Sequence, residues 1–329
     1  MKKFDDITML HVSDHRHENL FKVPTMIGGF YNWHRTFGKN GFFNLFKAKE
    51  GRLKEYDIIF IGMSRPELED RCATQIREEL GDSSDTKLVV CIDYAVELWQ
   101  GTFQPRALEY ELKAADMVFV SEPCMQNHVQ ALLKGEKPVH HIPHPSQIDH
   151  LSKLEEPYDM RDEDIVVIIH RYDNNWLAPF LVTDKIGYNT HAVCLDNNLG
   201  VHLYPFFKYI EQGKEFTQYL SWLAKKKLVV DSYHKIHTYG RSPVDCACIG
   251  VPCIGTNWTW AQKKLWPDLT VEPGYVYDQR LLVKKIMEDE DFYHSCVEKA
   301  KAQLDYFSYE NRKKDFLTKL YGEDNADKK

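Results

Sequence analysis

The sequence lacks any long hydrophobic run and any excess of positive charge. Its 329 residues carry 42 Lys and Arg against 49 Asp and Glu, which gives a formal net charge of −7. The longest apolar segments, such as residues 165–169, have the length of a buried strand, whereas a membrane span needs about 18 residues. The short apolar runs argue against a transmembrane protein. The negative net charge offers no global attraction to nucleic-acid phosphates.

A secretory signal and a zinc-ligand pattern are missing as well. Asp5 and Asp6 fall where a signal peptide would place its hydrophobic stretch, so we expect a cytoplasmic protein. Cys246 and Cys248 are separated by one residue, whereas zinc ligand pairs are spaced by roughly two to four. Most of the eight cysteines lie in apolar segments, which predicts reduced, buried thiols and no metal site.

Short apolar runs alternate with longer helical patterns along the whole chain, and this alternation predicts an α/β protein with parallel sheets. At roughly 150 residues per domain, the length predicts two domains. The candidate strands of the first half are residues 7–12, 57–62, 88–92, 117–120 and 139–142. Those of the second half are residues 165–169, 192–195, 228–231, 252–255 and 269–271.

Helix and linker signals fit between these strands. Ser64 and Ser121 each precede an early proline, which is typical of a helix start. The polar stretch 152–164 interrupts the pattern, so we predict domains at residues 1–150 and 151–329. Residues 279–321 are predicted to form two or three amphipathic helices.

The most informative stretch is residues 229–256, which predicts a strand, a glycine-bearing loop, a helix from about Ser242 and another strand. A loop that leads into a helix N-terminus presents unpaired backbone N–H groups and a partial positive charge, which together suit an anion. Asp245 on that helix could accept hydrogen bonds from ribose hydroxyls. Strand–glycine–helix turns also occur for packing alone, so the pattern by itself leaves both interpretations open.

The same stretch resembles the nucleotide-sugar site of GT-B glycosyltransferases, in particular the retaining family-4 group. Gly240 and the segment 247–254 match the family's glycine and its Ala-x-Gly-x-Pro-Val-Ile ending, while the two family glutamates fall on His237 and Asp245. The resemblance implies that Asp245 binds ribose and that His237 lies near the reacting centre. The positions implied to contact the donor nucleotide are Tyr239, Gly240, Arg241, Ser242 and Asp245.

The resemblance extends to the first half and to the strand that opens the second. Gly28 and Gly29 look like the family's glycine-rich acceptor loop. The alternative interpretation is that they form a plain turn between a strand and a helix. Arg171, just after the strand at 165–169, falls where the family places an arginine against the donor diphosphate. Asp93 closes the strand at 88–92 and could accept a proton from an acceptor hydroxyl, or cap the next helix.

The resemblance implies a GT-B fold, in which two Rossmann-like domains face each other across a cleft and the last helix packs on the N-terminal half. The N-terminal domain would bind the acceptor and the C-terminal domain the nucleotide sugar. The implied reaction moves a sugar from a UDP- or GDP-linked donor to a hydroxyl of a glycan, lipid or modified nucleic acid. It would retain the anomeric configuration and require neither a metal nor another cofactor.

Two alternatives stay open at this point. One is a catalytically inactive GT-B relative that serves as a binding or scaffold subunit, which the residues at His237 and Asp245 keep in play. The other is a glycosyltransferase that acts on a hydroxymethylated DNA base. The basic runs at 225–227 and 312–314 would permit contact with nucleic acid, while the net charge argues against it.

Overall fold

The computed structural model forms two α/β units, one made of Met1–Ser146 with Phe307–Lys329 and the other of Gln147–Tyr306. The residues it describes are 3–13, 29–45, 52–63, 72–81, 84–93, 95, 105–169, 176–194, 203, 205–211, 215–231 and 236–322. Each unit contains a parallel β-sheet, which confirms the predicted α/β class.

The sheet of the first unit has the strand order β2-β1-β3-β4-β5-β6, and all described pairs are parallel. Its strands are β1 (Met9–Ser13), β2 (Gly41–Leu45), β3 (Ile58–Met63), β4 (Lys87–Ile92), β5 (Met117–Val120) and β6 (Val139–His141). The helices α1 (Cys72–Leu80), α2 (Pro105–Ala114) and α3 (Pro123–Leu132) connect them. Runs of Ile, Val and Phe form the central strands because both faces of a parallel sheet are buried.

One face of this sheet is covered by an aromatic cluster that the end of the chain completes. Trp33, from the 3₁₀ segment Gly29–Asn40, lies 5.3 Å from Phe119 and 5.2 Å from Phe316, measured between ring centroids. Phe316 belongs to the last helix, Tyr309–Tyr321, and all three side chains are fully buried. The last helix therefore packs on the first sheet, as the resemblance implied.

The sheet of the second unit has the strand order β12-β11-β10-β7-β8-β9. Its strands are β7 (Asp162–Ile169), β8 (Asn189–Cys194), β9 (Tyr209–Glu211), β10 (Lys226–Asp231), β11 (Cys253–Thr256) and β12 (Thr270–Val271). Its helices are α4 (Ile148–Leu151), α5 (Leu177–Thr183), α6 (Phe216–Leu223), α7 (Arg241–Cys248), α8 (Trp260–Leu265), α9 (Val276–Glu288) and α10 (Glu290–Lys301), and the last helix of the chain is α11. The strand order reverses between β7 and β10, and ligands of doubly wound sheets bind at such a point, beyond the carboxyl ends of the strands.

All ten predicted strands are present, each displaced by a few residues at most. The sequence analysis missed β2 and β9, which are edge strands of mixed polarity. The helix predicted after Ser121 begins at Pro123, with the Glu122 side chain accepting a hydrogen bond from the Met125 amide. The predicted helix start at residues 64–67 lies outside the described residues.

The C-terminal region contains three helices, α9, α10 and α11, as predicted. All eight cysteines are free thiols, and seven of them are buried. Within the described ranges, none of the helices has both the length and the apolar character that a membrane crossing requires.

We expect Phe316→Ala to lower the free energy of unfolding of the first unit by about 3–5 kcal/mol, because it empties the centre of the aromatic cluster. Urea titration followed by tryptophan fluorescence measures this loss. Lys314→Ala, on the exposed face of the same helix, is the matched control and should change stability by less than about 0.5 kcal/mol. Equal stability of the two variants would contradict the proposed docking of the last helix.

Candidate functional site

The loop between β10 and α7 ends in a glycine that its conformation requires. Gly240 has a φ of +81°, and a Cβ atom there would lie 1.9 Å from Cγ2 of Thr259. Gly240 is also the N-cap of α7, so it provides no side chain to cap the helix, and the first turn contains no acidic residue. The amides at the start of α7 and the positive end of its dipole therefore suit an anion, as the sequence predicted.

Asp245, the predicted ribose-binding acid, lies one turn into α7 and is only 6% exposed. Its Oδ2 lies 3.0 Å from Nε of Arg241, whose guanidinium covers the ring of Phe216 at 3.8 Å. Burial raises the pKa of Asp245 to about 6, and the charge of Arg241 opposes that rise. Two of the predicted donor-binding residues are thus brought together as an ion pair.

Aromatic stacking surrounds His237 and Tyr239 in the approach to α7. The imidazole of His237 stacks on Trp258, with ring centroids 4.7 Å apart and an interplanar angle of 19°. Tyr239 is buried and lies nearly parallel to Trp260, at 6.4 Å. Where the family has its first glutamate, this chain therefore presents an aromatic surface.

Asp231 was missed by the sequence analysis. It is the last residue of β10 and is 3% exposed, and its carboxyl interacts with Ser242 at the start of α7. Burial raises the pKa of Asp231 to about 7, and the hydrogen bond from Ser242 opposes the rise. An acid directly after the apolar residues 228–230 of a predicted strand was the available signal.

A second polar group lies at the carboxyl edge of the first sheet, around Asp93. Ser121 Oγ donates a hydrogen bond of 2.6 Å to Oδ1 of Asp93, and Nε2 of His144 lies 3.0 Å from the same oxygen. Trp33 Nε1 donates to Nδ1 of His144 at 3.3 Å. The structure therefore places Ser121 and His144 beside the predicted Asp93, and Trp33 behind His144, although the sequence analysis had not assigned these three residues to a site.

His11, on β1, belongs to the same buried region. Its side chain is fully buried, and its ring lies 5.9 Å from that of His34. Burial lowers the pKa of His11 well below its usual value, and the nearby His34 and His144 lower it further. His11 is therefore a neutral imidazole at physiological pH.

Some predicted site residues cannot be placed in this geometry. Gly28 and Arg171 lie outside the described residues. Gly29 opens the 3₁₀ segment Gly29–Asn40 that carries Trp33.

Two acidic side chains of the second unit that could have indicated a metal site form ion pairs within the protein instead. The sequence contains Asp-x-Asp at 162–164 and 289–291. Lys226 Nζ contacts Asp162 at 2.8 Å and Asp164 at 2.6 Å. Among the residues with described placement, no group of three or more His, Cys, Asp or Glu side chains could hold a metal ion.

The two basic runs are not free patches either. Lys226 and Lys227 are 5% and 9% exposed, and Lys227 Nζ lies 3.3 Å from Glu163. Arg312 is 4% exposed and pairs with Asp315 at 2.9 Å. Three of the six basic residues in these runs are therefore buried and paired with acids, whereas Lys225 and Lys314 are exposed.

Comparison with known proteins shows similarity in structure alone, because no protein-family model and no curated protein sequence matches the chain. An α-glucosyltransferase in complex with UDP-glucose and DNA containing an abasic site is 12% identical, with 95% of this chain and 98% of that chain covered and a TM-score of 0.69. The Anabaena protein Alr3699/HepE in complex with UDP is 13% identical, with coverages of 95% and 99% and a TM-score of 0.65. The trehalose 6-phosphate synthase of Burkholderia multivorans is 10% identical, with coverages of 82% and 74% and a TM-score of 0.61. These similarities show that the fold is GT-B, as the motif at 237–254 implied.

Buried histidines should make the first unit less stable in acid. Burial lowers the pKa of His141 to about 4. Between pH 6.5 and pH 4, His141 is therefore protonated in the unfolded chain and neutral in the folded chain. The stability associated with neutral His141 is complete above pH 6.5 and decreases as the pH falls toward 4. Urea titrations at pH 7 and pH 5 should show that wild type loses about 2 kcal/mol relative to His141→Gln. A constant difference between the two proteins would contradict the assignment.

Proposed function

We propose that this protein is a glycosyltransferase that moves a sugar from a UDP-linked donor to an acceptor hydroxyl. The observation that carries the proposal is the β10–α7 loop, where Gly240 leads into an uncapped helix N-terminus at the carboxyl edge of a doubly wound sheet. The fold is that of glycosyltransferases solved with UDP or UDP-glucose. UDP is therefore the nucleotide that we propose, in preference to GDP.

The second unit binds the donor in this proposal. The amides of Gly240, Arg241 and Ser242 face the diphosphate, and Asp245 binds the ribose hydroxyls. The Arg241 guanidinium supplies positive charge as the bond between sugar and phosphate breaks. Arg171 is assigned to the same diphosphate by the resemblance alone.

His237 and Tyr239 complete the donor side. We assign His237 to the region of the transferred sugar, where its ring, stacked on Trp258, offers a flat surface and ring nitrogens that can form hydrogen bonds. Tyr239 helps to hold the loop through its contact with Trp260. Neither residue supplies the carboxylate that the family pattern has at position 237.

The first unit binds the acceptor, with Asp93 receiving the proton of the attacking hydroxyl and the Gly28–Gly29 loop contacting the acceptor. Because the arginines and the α7 amides can meet the negative charge of the leaving UDP, we propose a reaction that needs no metal. Retention of the anomeric configuration is proposed from the resemblance alone. Cytoplasmic location is part of the same proposal.

A hydroxymethylated DNA base is the second candidate acceptor. It is favoured by the likeness to an α-glucosyltransferase solved with UDP and DNA that contains a hydroxymethyluracil base, at 12% identity and a TM-score of 0.66. The buried state of Lys226 and Lys227 removes those side chains from any contact with DNA. Transfer of label from UDP-glucose to hydroxymethylated DNA, compared with unmodified DNA, separates this acceptor from the others.

Asp245→Ala should weaken UDP binding about tenfold to a hundredfold, because it removes charge-assisted hydrogen bonds to ribose worth about 1.5–3 kcal/mol. Isothermal titration calorimetry on the folded variant measures the loss. Asp278→Ala, which removes an exposed acid from α9, is the control and should bind UDP as wild type does. Unchanged affinity in Asp245→Ala would remove Asp245 from the donor site.

The wild-type protein should release UDP from UDP-glucose at a rate that EDTA does not change, because protein cations stabilise the leaving diphosphate. A coupled assay for UDP, with and without chelator, measures this. Loss of turnover in EDTA with recovery on adding Mg²⁺ or Mn²⁺ would contradict the metal-free reaction. UDP binding without turnover would identify the chain as an inactive relative.

A further inference from the structure

Exposed apolar side chains are concentrated on two neighbouring helices of the second unit, α5 and α9. Among the residues that the structure describes, nine large hydrophobic side chains are exposed, and six of them lie on these helices or directly beside them: Leu177, Leu181, Phe206, Tyr275, Tyr277 and Leu281. Single exposed apolar residues are ordinary, whereas a group of them on one surface is typical of a site that another molecule covers.

The two helices pack side by side on the second sheet. Nη1 of Arg280, on α9, donates hydrogen bonds to the carbonyl oxygens of Leu181 and Asp184 at the end of α5, at 3.2 Å and 2.6 Å. α5 packs on β7, and α9 packs on β10 and β11. The exposed sides of the two helices therefore form one outer surface. We call it the α5–α9 face, and its apolar residues are Leu177, Leu181, Tyr277 and Leu281.

The exposed side chains of α9 are arranged symmetrically about Leu281. Tyr277 and Asp278 lie four and three residues before Leu281, and Lys284 and Lys285 lie three and four residues after it. Residues with these spacings share one side of a helix, and all five are exposed. This stripe is therefore apolar at its centre, acidic toward the helix N-terminus and basic toward the C-terminus.

Such a stripe is complementary to a second copy of itself. When two α9 helices lie antiparallel, related by a two-fold axis at Leu281, residues equally far before and after Leu281 meet across the axis. Asp278 then lies opposite Lys284 of the partner subunit, and this ion pair occurs twice in the dimer. A parallel arrangement would instead place each of these charges against its own copy.

The remaining position of the stripe fits the same arrangement. Tyr277 lies opposite Lys285 of the partner subunit across the axis. Within its own chain, Lys285 Nζ lies 3.7 Å from the centroid of the Phe292 ring. Its alkyl stem is therefore held on the surface of α9, where an aromatic side chain can pack on it.

We propose that the α5–α9 face is the contact surface of a homodimer, in which two α9 helices cross antiparallel at Leu281 while Leu177 and Leu181 extend the apolar contact. The 13 residues of α9 span about 20 Å, and two helices side by side are about 20 Å wide. An interface of that size is at the lower end of the range for specific complexes and is typical of transient ones. We therefore expect a dissociation constant in the micromolar range, on the order of 10–100 µM.

Dimer formation requires no turnover, so this inference does not depend on the proposed function. The stripe contains no residue that is assigned to UDP. A chain that dimerises but transfers no sugar would overturn the proposed function alone, and an active monomer would overturn the dimer alone.

The first experiment is sedimentation velocity on the full chain between about 1 and 300 µM, a range that brackets the expected dissociation constant. We expect wild type to change from monomer to dimer over this range. Leu281→Asp should stay monomeric, because it places two carboxylates at the centre of an apolar contact. Tyr110→Asp, which adds an acid to an exposed position on α2, is the matched control and should dimerise as wild type does.

The second experiment tests the antiparallel register by reversing charges. Asp278→Lys and Lys284→Asp should each weaken the dimer at least about tenfold, because each brings like charges together at both contacts. A mixture of the two single variants should form a heterodimer, since opposite charges then meet at both contacts, and the double variant should recover the wild-type affinity. Asp291→Lys, which removes an exposed acid from the first turn of α10, is the control for Asp278→Lys and should leave the affinity unchanged.

Circular dichroism and urea titration on the same samples establish that each variant is folded. Wild type that stays monomeric throughout the concentration range would overturn the proposal. A dimer that persists in Leu281→Asp, or single charge variants whose loss is not restored by mixing, would overturn it as well. Monomeric wild type that binds vesicles of phosphatidylcholine and phosphatidylglycerol, with loss of binding in Leu281→Asp, would overturn it in favour of a lipid surface at the same face.

Discussion

Burial of both faces of each parallel sheet is the constraint on which the rest of this structure depends. The central strands consist of Val, Ile, Leu and Phe, with almost no polar side chain along their lengths. Charged groups are therefore confined to the strand ends, to loops and to helix termini. Asp93 and Asp231 each lie where a buried strand ends, and the features that suggest chemistry in this molecule are found beside them.

The same constraint explains which parts of the fold were predictable from sequence. Continuous apolar runs marked ten strands, whereas β9 has three residues and ends in a glutamate, and the apolar run of β2 is interrupted by Asn44. The β10–α7 loop was predictable because its strand, glycine and helix are adjacent in sequence. The contacts around Asp93 were not, because Trp33 and His144 are 111 residues apart and meet only through the order of the strands.

The burial of charged side chains was the property that was hardest to predict from the sequence. The run at 225–227 looked like a surface patch, yet Lys226 lies at the start of β10 beside the acids at the start of β7. Parallel pairing brings the first residues of β10 and β7 together, and Lys226 is buried there against Asp164, while Asp162 pairs with the same lysine from a solvent-exposed position. Asp245 is similar, since it pairs with Arg241 one helical turn earlier. Composition counts such residues as surface charge, whereas strand register and helical spacing decide their burial.

The return of the last helix to the first sheet has a consequence for how the protein is made. Phe316 is needed to complete the aromatic cluster around Trp33, so the first unit cannot close its core until residue 316 has left the ribosome. Residues 147–306 are contiguous and can finish folding earlier, although their synthesis starts later. During translation one apolar face of the N-terminal sheet therefore stays partly uncovered until the last helix is made. Chaperones that bind exposed aromatic surface would bind this protein at that sheet, and docking of the helix Tyr309–Tyr321 would release them.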